Sequence, residues 1–215
     1  MIIGIVGKAR SGKDTFAEML AEEIFERFGK RFVLMAYAQE LKLRVQRDFD
    51  LSYDQLWGDS KEIEDKRYTK AWVNNMVAGR RDTSEIESHH WTPREIMQAY
   101  GEFYRSIDKQ FWVNNLFRAI EEKEYKGVIV TDVRHPNEAD PIRERKGYVI
   151  KVISERSDKQ EIHGSDHISE TAMDNYDGID FLVENNAGLE ELKQKAKEAL
   201  DFLVEAESKG HLEVI

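Results

Sequence analysis

Apolar and polar positions along the chain alternate between two rhythms. Residues 2–6 form a short apolar run (Ile2, Ile3, Ile5, Val6) that stops at Gly7, and residues 13–28 place Phe16, Met19, Leu20, Ile24 and Phe28 at helical spacing, closed by Gly29. This pattern predicts strand, loop, helix. Residues 31–37 return to an apolar run of strand length, and Ala38 to Phe49 resumes a helical mix with Leu41, Leu43 and Val45. A βαβα order of this kind implies a parallel sheet. From about Asp50 to His90 the rhythm is lost around Trp57, Gly58, Trp72, Gly79 and the polar run Arg80 to His90, which reads as an insert with some helix and a mobile polar loop.

Regular patterning resumes at Thr92, where Thr-Pro-Arg-Glu combines an N-cap hydroxyl, a proline at the first helical position and a glutamate three residues on. The helix starting there carries Ile96, Met97 and Tyr100, and a second helical stretch runs through Trp112, Leu116, Phe117 and Ile120. Gly127 introduces the β-branched run Val128 to Thr131, ending at Asp132. A helix from about Pro136 to Arg145 and a strand at Tyr148 to Ile153 follow. Residues 154–178 are polar and contain glycine, Phe181 to Val183 is a last short strand, and Leu189, Leu192, Ala196, Leu200 and Leu203 mark a C-terminal amphipathic helix. No internal repeat or interdomain linker is evident.

Composition narrows the classes. The 215 residues suit one large domain with inserts, and 40% hydrophobic with 34% charged residues is ordinary globular composition. The formal net charge of −10 repels nucleic acid and anionic membranes as a whole-molecule field, so a phosphate site must be a local basic pocket. Without cysteine there are no disulfides, thiolate metal sites or cysteine nucleophiles, which is compatible with a reducing cytoplasm. The apolar run at residues 2–6 is too short for a signal peptide, and no stretch approaches the roughly 20 apolar residues that cross a bilayer. A cytoplasmic location is expected.

The densest chemistry follows the first strand. Gly7-Lys8-Ala9-Arg10-Ser11-Gly12-Lys13-Asp14-Thr15 fits G-x-x-x-x-G-K, with Asp14 where Ser or Thr is usual and Thr15 one place later. Gly7 and Gly12 let the backbone approach phosphate oxygens, and the amides that follow sit at the positive end of the helix. Lys13 adds a compact charge for the β- and γ-phosphates. Asp14 or Thr15 would hold Mg²⁺, directly or through water. Lys8 and Arg10 are also in the loop, as ligands or as solvated charge. The plainer reading, a β-to-α turn with surface lysines, is outweighed by the strand before the loop and the helix after it.

A second constellation, Asp132-Val-Arg134-His-Pro-Asn137-Glu138, lies just past the Val-Ile-Val strand, at the carboxyl edge where open α/β sheets place ligands. Asp132 suits a hydroxyl or Mg²⁺-water contact, Arg134 a phosphate fork and Glu138 an orienting role; the competing reading is a structural ion-pair network at the strand end. Arg94, Gln98, Gly101 and Arg105 share one helical face, which can press against a small anion. Trp112 offers a stacking surface for a base, although a Trp at helical spacing with Leu116 is more often core. His89-His90 lacks the spacing of a helical metal site, and Gly164 between His163 and His167 argues against a helix there.

These residues resemble the deoxynucleoside monophosphate kinases of tailed bacteriophages, within the P-loop nucleoside monophosphate kinase fold. The resemblance runs through the loop at 7–15 with its Asp14, Ala38 to Lys42, Thr92-Pro-Arg94 with Gln98 and Gly101, Trp112, Asp132-Val-Arg134 with Asn137 and Glu138, His167-Ile-Ser169-Glu170, and Asn185-Asn186. Glu95 stands where that family commonly has a basic residue, and Glu102 where a small hydroxyl residue often follows the glycine. The resemblance implies an α/β, three-layer fold with a central parallel sheet, an acceptor-binding helical insert at about 50–125 and a lid-like segment at about 154–178 that contains Arg156 and Lys159. It implies that Gly7, Gly12, Lys13, Asp14 and Thr15 bind ATP and Mg²⁺, and that Arg94, Gln98, Gly101, Trp112, Asp132, Arg134 and Glu138 line the acceptor pocket. The expected activity is transfer of the γ-phosphoryl group of ATP to a deoxynucleoside monophosphate, with Lys13, Asp132 and Arg134 catalytic. The expected location becomes the host cytoplasm if the chain is phage-encoded. A homodimer is compatible with the sequence; a nucleic-acid or membrane partner is not expected. The alternatives are a P-loop kinase for another small phosphorylated acceptor, of phosphomevalonate or dephospho-coenzyme A type, and a non-catalytic ATP-binding regulatory module.

Overall fold

The computed structural model describes residues 1–70, 89–155 and 172–210. Residues 80–88 of the expected polar loop at Arg80 to His90, Trp72, Gly79, and most of the lid-like segment, with Arg156, Lys159, His163, His167, Ser169 and Glu170, lie outside the described residues. Two compact units emerge. The first joins Met1–Tyr37 to Val113–Ile215, and the second is Ala38–Trp112.

The first unit is built on five parallel strands: β1 (Ile2–Val6), β2 (Val33–Met35), β3 (Val128–Val133), β4 (Tyr148–Ile153) and β5 (Phe181–Glu184), in the spatial order β2-β3-β1-β4-β5. β1 is central, and its residues from Ile3 to Val6 are buried on both faces, as a strand covered by helices on each side must be. Alternation sorts the side chains. Ile3, Ile5, Ile129, Ile150, Val152 and Val183 pack against α1 (Lys13–Phe28) and α7 (Leu189–Gly210), through Phe16, Leu20, Ile24, Leu192, Leu200 and Leu203. Val6, Val128, Val130, Val133 and Val149 turn the other way, onto Val113, Leu116, Phe117 and Ile120 of α5 (Phe111–Glu122) and Ala139 and Ile142 of α6 (Pro136–Glu144). This is the three-layer α/β arrangement the resemblance implies, on the parallel sheet the alternation predicts.

Boundaries differ from the sequence reading at the second and third strands, each for a local reason. The second strand shortens from 31–37 to Val33–Met35, and α2 (Tyr37–Phe49) begins at Tyr37 because the Asp132 carboxylate accepts the Tyr37 amide at 2.7 Å and so caps the helix start. β3 runs one residue past Asp132, pairing with β1 across a register shift from Gly4↔Val130 to Val6↔Val133. The C-terminal helix starts at Leu189 as the pattern places it, but Leu189 itself is 65% exposed in that first turn and the buried stripe starts at Leu192.

In the second unit, the remainder of α2 is followed by α3 (Tyr53–Trp57), a 3-10 turn (Asp59–Glu62), a bridge between Thr69 and His90, and α4 (Pro93–Ile107). The capping box at Thr92 forms in full, with Thr92 accepting the Glu95 amide and Glu95 accepting the Thr92 amide. Its core is Leu41, Val45, Leu51, Leu56, Ile96 and Trp112, ringed by Phe49, Tyr68, Tyr100, Tyr104 and Phe111.

Candidate functional site

Residues 7–12 connect the carboxyl end of β1 to the start of α1. Gly12 adopts φ 87°, ψ 12°, left-handed backbone that an L side chain resists, and Arg10 also takes a positive φ of 62°. The Ser11 amide donates to the Lys8 carbonyl at 3.2 Å, and the Phe16 amide to the Gly12 carbonyl at 2.9 Å, so the loop closes directly into the first helical turn. A Cβ on Gly7 would lie 2.6 Å from Ser11 Oγ and 2.8 Å from the Val152 carbonyl, and only glycine fits there. Lys13 is largely buried, with Nζ 3.4 Å from Asp14 Oδ2, while the Asp14 carboxylate is exposed. A turn of this kind, with consecutive backbone amides at a helix N-terminus and a largely buried lysine in the first helical turn, can receive an anionic group. Lys8 lies 3.9 Å from Asp174, which is also 3.8 Å from Lys151, extending the basic surroundings of the loop.

The second cluster forms at the carboxyl end of β3, the strand beside β1. Asp132 and Arg134 are both half-buried there. Glu138 is buried, and its Oε2 accepts the amides of Arg134 at 2.8 Å and His135 at 3.2 Å. It therefore fixes the backbone that carries Arg134, in the capping-box position of α6. Tyr37 ties the cluster together. Its amide binds Asp132, its hydroxyl donates to the Glu138 carbonyl at 2.7 Å, and burial beside Glu138 and Asp132 pushes the phenol far above its ordinary range, so it remains a donor. The strand order turns back on itself around β1, and ligands in open α/β sheets bind at such a point, beyond the carboxyl ends of the strands.

The remaining candidates belong to the second unit. On α4, Arg94 pairs with Glu62, Gln98 is half-buried and Arg105 is exposed. Gly101 is buried; a Cβ there would come within 2.8 Å of Leu41 Cδ1. Trp112 is 4% exposed, donates its indole N–H to the Gly101 carbonyl at 3.2 Å, and meets Tyr100, Tyr104 and Phe111 at ring-centroid distances of 6.4, 5.5 and 4.9 Å. That is a core position. His90 lies 3.6 Å from Glu64, and among the described residues no group of three His, Cys, Asp or Glu side chains forms a metal cage.

Tyr37 had no part in the sequence reading, and Asn185 entered it only through the Asn185-Asn186 resemblance, without a partner or a task. Tyr37 anchors Asp132 from a position 95 residues away, and Asn185, at the end of β5, donates from Nδ2 to the Ser11 carbonyl at 2.9 Å across 174 residues. A tyrosine just after a predicted strand and an asparagine pair just after the last one were the visible signals, but neither names its partner.

Comparison with known proteins decides the family. Residues 54–196 match the sequence pattern of the family described as deoxynucleotide monophosphate kinase, two thirds of the chain. The chain belongs to the deoxynucleotide monophosphate kinase family. The match takes in α4, Trp112 and the Asp132–Glu138 cluster and begins well after the phosphate loop, so the loop's geometry and the deoxynucleotide monophosphate kinase match are independent observations. A provisionally named deoxynucleotide monophosphate kinase of Acanthamoeba polyphaga mimivirus is 26% identical over 220 residues, 94% of this chain and 96% of that protein. Among solved structures, the dephospho-CoA kinase from Campylobacter jejuni (11% identity, 98% of each chain covered) has a TM-score of 0.46, and the shikimate kinase from Aquifex aeolicus (14% identity, 94% of this chain and 96% of that one) has 0.43. The fold assignment rests on the sheet order and the loop after β1, not on these scores. No helix among the described residues is long and apolar enough to cross a membrane.

Proposed function

We propose that this chain transfers the γ-phosphoryl group of ATP to a deoxynucleoside monophosphate, releasing ADP and the deoxynucleoside diphosphate, with Mg²⁺ as cofactor. The observation that carries the reading is the pairing of the phosphate loop at the end of β1 with Asp132 and Arg134 at the end of the adjacent strand, in a chain of the deoxynucleotide monophosphate kinase family. A phosphate oxygen of the acceptor attacks the γ-phosphorus, the bond to the β–γ bridging oxygen breaks, and the electron pair leaves with ADP. The acceptor phosphate is already ionised, so no strong base is needed; positioning and charge neutralisation supply the catalysis.

Each side chain then has a task. The amides of residues 7–15, with Lys8 and Arg10 at the rim, hold the triphosphate, and Lys13 neutralises charge on the β- and γ-phosphates. Arg134 forks onto a phosphate, held by Glu138, and Asp132, pinned by Tyr37, orients the acceptor. On the second unit, Arg94, Gln98 and Arg105 are the candidates for acceptor contacts, while Gly101 and Trp112 contribute by keeping α4 packed. Asp14 and Thr15 suit Mg²⁺ as hard oxygen donors. The exposed Asp14 carboxylate beside Lys13 fits an ion that takes one or two protein oxygens and completes its shell with phosphate and water, and such an ion would supply Lewis-acid neutralisation of the triphosphate.

The test is a product panel. Purified protein is incubated with Mg-ATP and each deoxynucleoside monophosphate, and products are resolved by ion exchange, with Lys13→Ala alongside. New deoxynucleoside diphosphate from the wild type, lost in the variant, is expected. ATP hydrolysis that ignores the acceptor and yields no diphosphate would sink the proposal.

A further inference from the structure

Gly12 poses a problem that the loop alone does not solve. A glycine accepts either orientation of the peptide before it, so the Ser11–Gly12 peptide is free to flip unless something outside the loop holds it. Asn185 is placed to do so. Its own amide donates to the Ile153 carbonyl at 2.9 Å, which fixes it to the end of β4, and its Nδ2 donates to the Ser11 carbonyl at 2.9 Å. A Cβ on Gly12 would overlap that same Nδ2, so glycine is required there both by its φ and by the approach of Asn185. Because the peptide is planar and trans, turning the Ser11 carbonyl toward Asn185 turns the Gly12 N–H to the opposite side. The neighbouring Asn186 does a different job on the same stretch, accepting the Glu155 amide at 3.0 Å through Oδ1.

We infer that Asn185 is a positioning residue for the triphosphate, locking the Ser11–Gly12 peptide in the one orientation that keeps the Gly12 N–H available to a phosphate oxygen. The inference rests on the proposed ATP-binding role of the loop, but not on the identity of the acceptor. Asn185→Ala frees the peptide and should weaken Mg-ATP binding about tenfold, the scale of one hydrogen bond with a charged partner. Asn185→Asp keeps the shape, cannot donate once ionised, and adds negative charge near the phosphates, so a loss of about 100-fold is expected. The KM for ATP should rise accordingly, with the KM for the acceptor unchanged.

The readout is titration of a fluorescent ATP analogue with Mg²⁺, compared across wild type, Asn185→Ala, Asn185→Asp and Asn186→Ala, with thermal melts of each. Asn186→Ala disturbs the same strand end without touching the loop and should bind like wild type. Wild-type affinity in the Asn185 variants, or an equal loss in Asn186→Ala, would overturn the inference by reducing Asn185 to a strut. Failure of the two readings is separable. Diphosphate formation with undisturbed ATP binding in the Asn185 variants removes the lock and leaves the kinase, whereas weakened binding in those variants without any diphosphate from the wild type keeps the lock and removes the acceptor assignment.

Discussion

Gly12, followed by Lys13 in the phosphate loop, and Gly101, close to Arg105 on α4, both leave no room for a Cβ, yet they serve opposite ends. At Gly12 the backbone is left-handed, and the missing side chain leaves room for Asn185 and, in the proposed role, opens the loop amides to a phosphate. At Gly101 the backbone is helical, Leu41 fills the space, and the carbonyl is occupied by the Trp112 indole. One glycine opens the backbone for chemistry and the other closes a core. A glycine close to a basic residue therefore marks a candidate ligand site only when the chain conformation leaves backbone donors unspent.

Substitutions separate the two roles. The largest effect is expected for Gly12→Ala, where φ strain and overlap with Asn185 disturb the amides of the loop; kcat/KM should fall by about 100-fold or more, with a drop of only about 2–8 °C in melting temperature. Next, Trp112→Ala should destabilise the second unit by about 3–5 kcal/mol in denaturant unfolding. Trp112→Phe, which loses the bond to Gly101 but keeps most of the packing, should cost about 1 kcal/mol. A Trp112→Phe variant with native stability but a greatly raised acceptor KM would instead return Trp112 to base stacking. Gly101→Ala comes third, costing about 1–3 kcal/mol through the clash with Leu41 while leaving Mg-ATP affinity intact.

The smallest expected effect is on acid stability. Arg67 hydrogen-bonds Asp65, with its Nη2 2.7 Å away, and against the opposing effect of burial holds that carboxyl well below its usual range. A depressed folded-state value means the contribution is complete above the ordinary carboxylate range and is lost as pH falls toward the folded value. Melting temperatures measured from about pH 6 down to about pH 2 should therefore decline less steeply in Asp65→Asn than in wild type. Parallel declines would remove Asp65 from the account.

How far the sequence carried depended on how local each feature was. The phosphate loop was legible because strand, glycines, lysine and helix are contiguous, although the orientation of its Ser11–Gly12 peptide is held from outside by Asn185. The capping box at Thr92 and the Pro136–Glu144 helix were legible for the same reason. The start of α2 was not, since Tyr37 is held by Asp132, which lies 95 residues further on and whose single carboxylate caps a helix while sitting in the candidate site. Asn185 shows the limit most plainly, because a bond spanning 174 residues leaves no periodicity to read. Trp112 had two readings at the level of spacing, and only the surrounding rings of Tyr100, Tyr104 and Phe111 put it in the core.

A single-turnover experiment with γ-labelled ATP, Mg²⁺ and excess deoxynucleoside monophosphate follows the γ-phosphoryl group directly. If the proposed transfer occurs, the label appears in deoxynucleoside diphosphate at the rate ATP disappears. Label released as inorganic phosphate at a rate indifferent to the acceptor, or retained in ATP despite saturated binding, would contradict it.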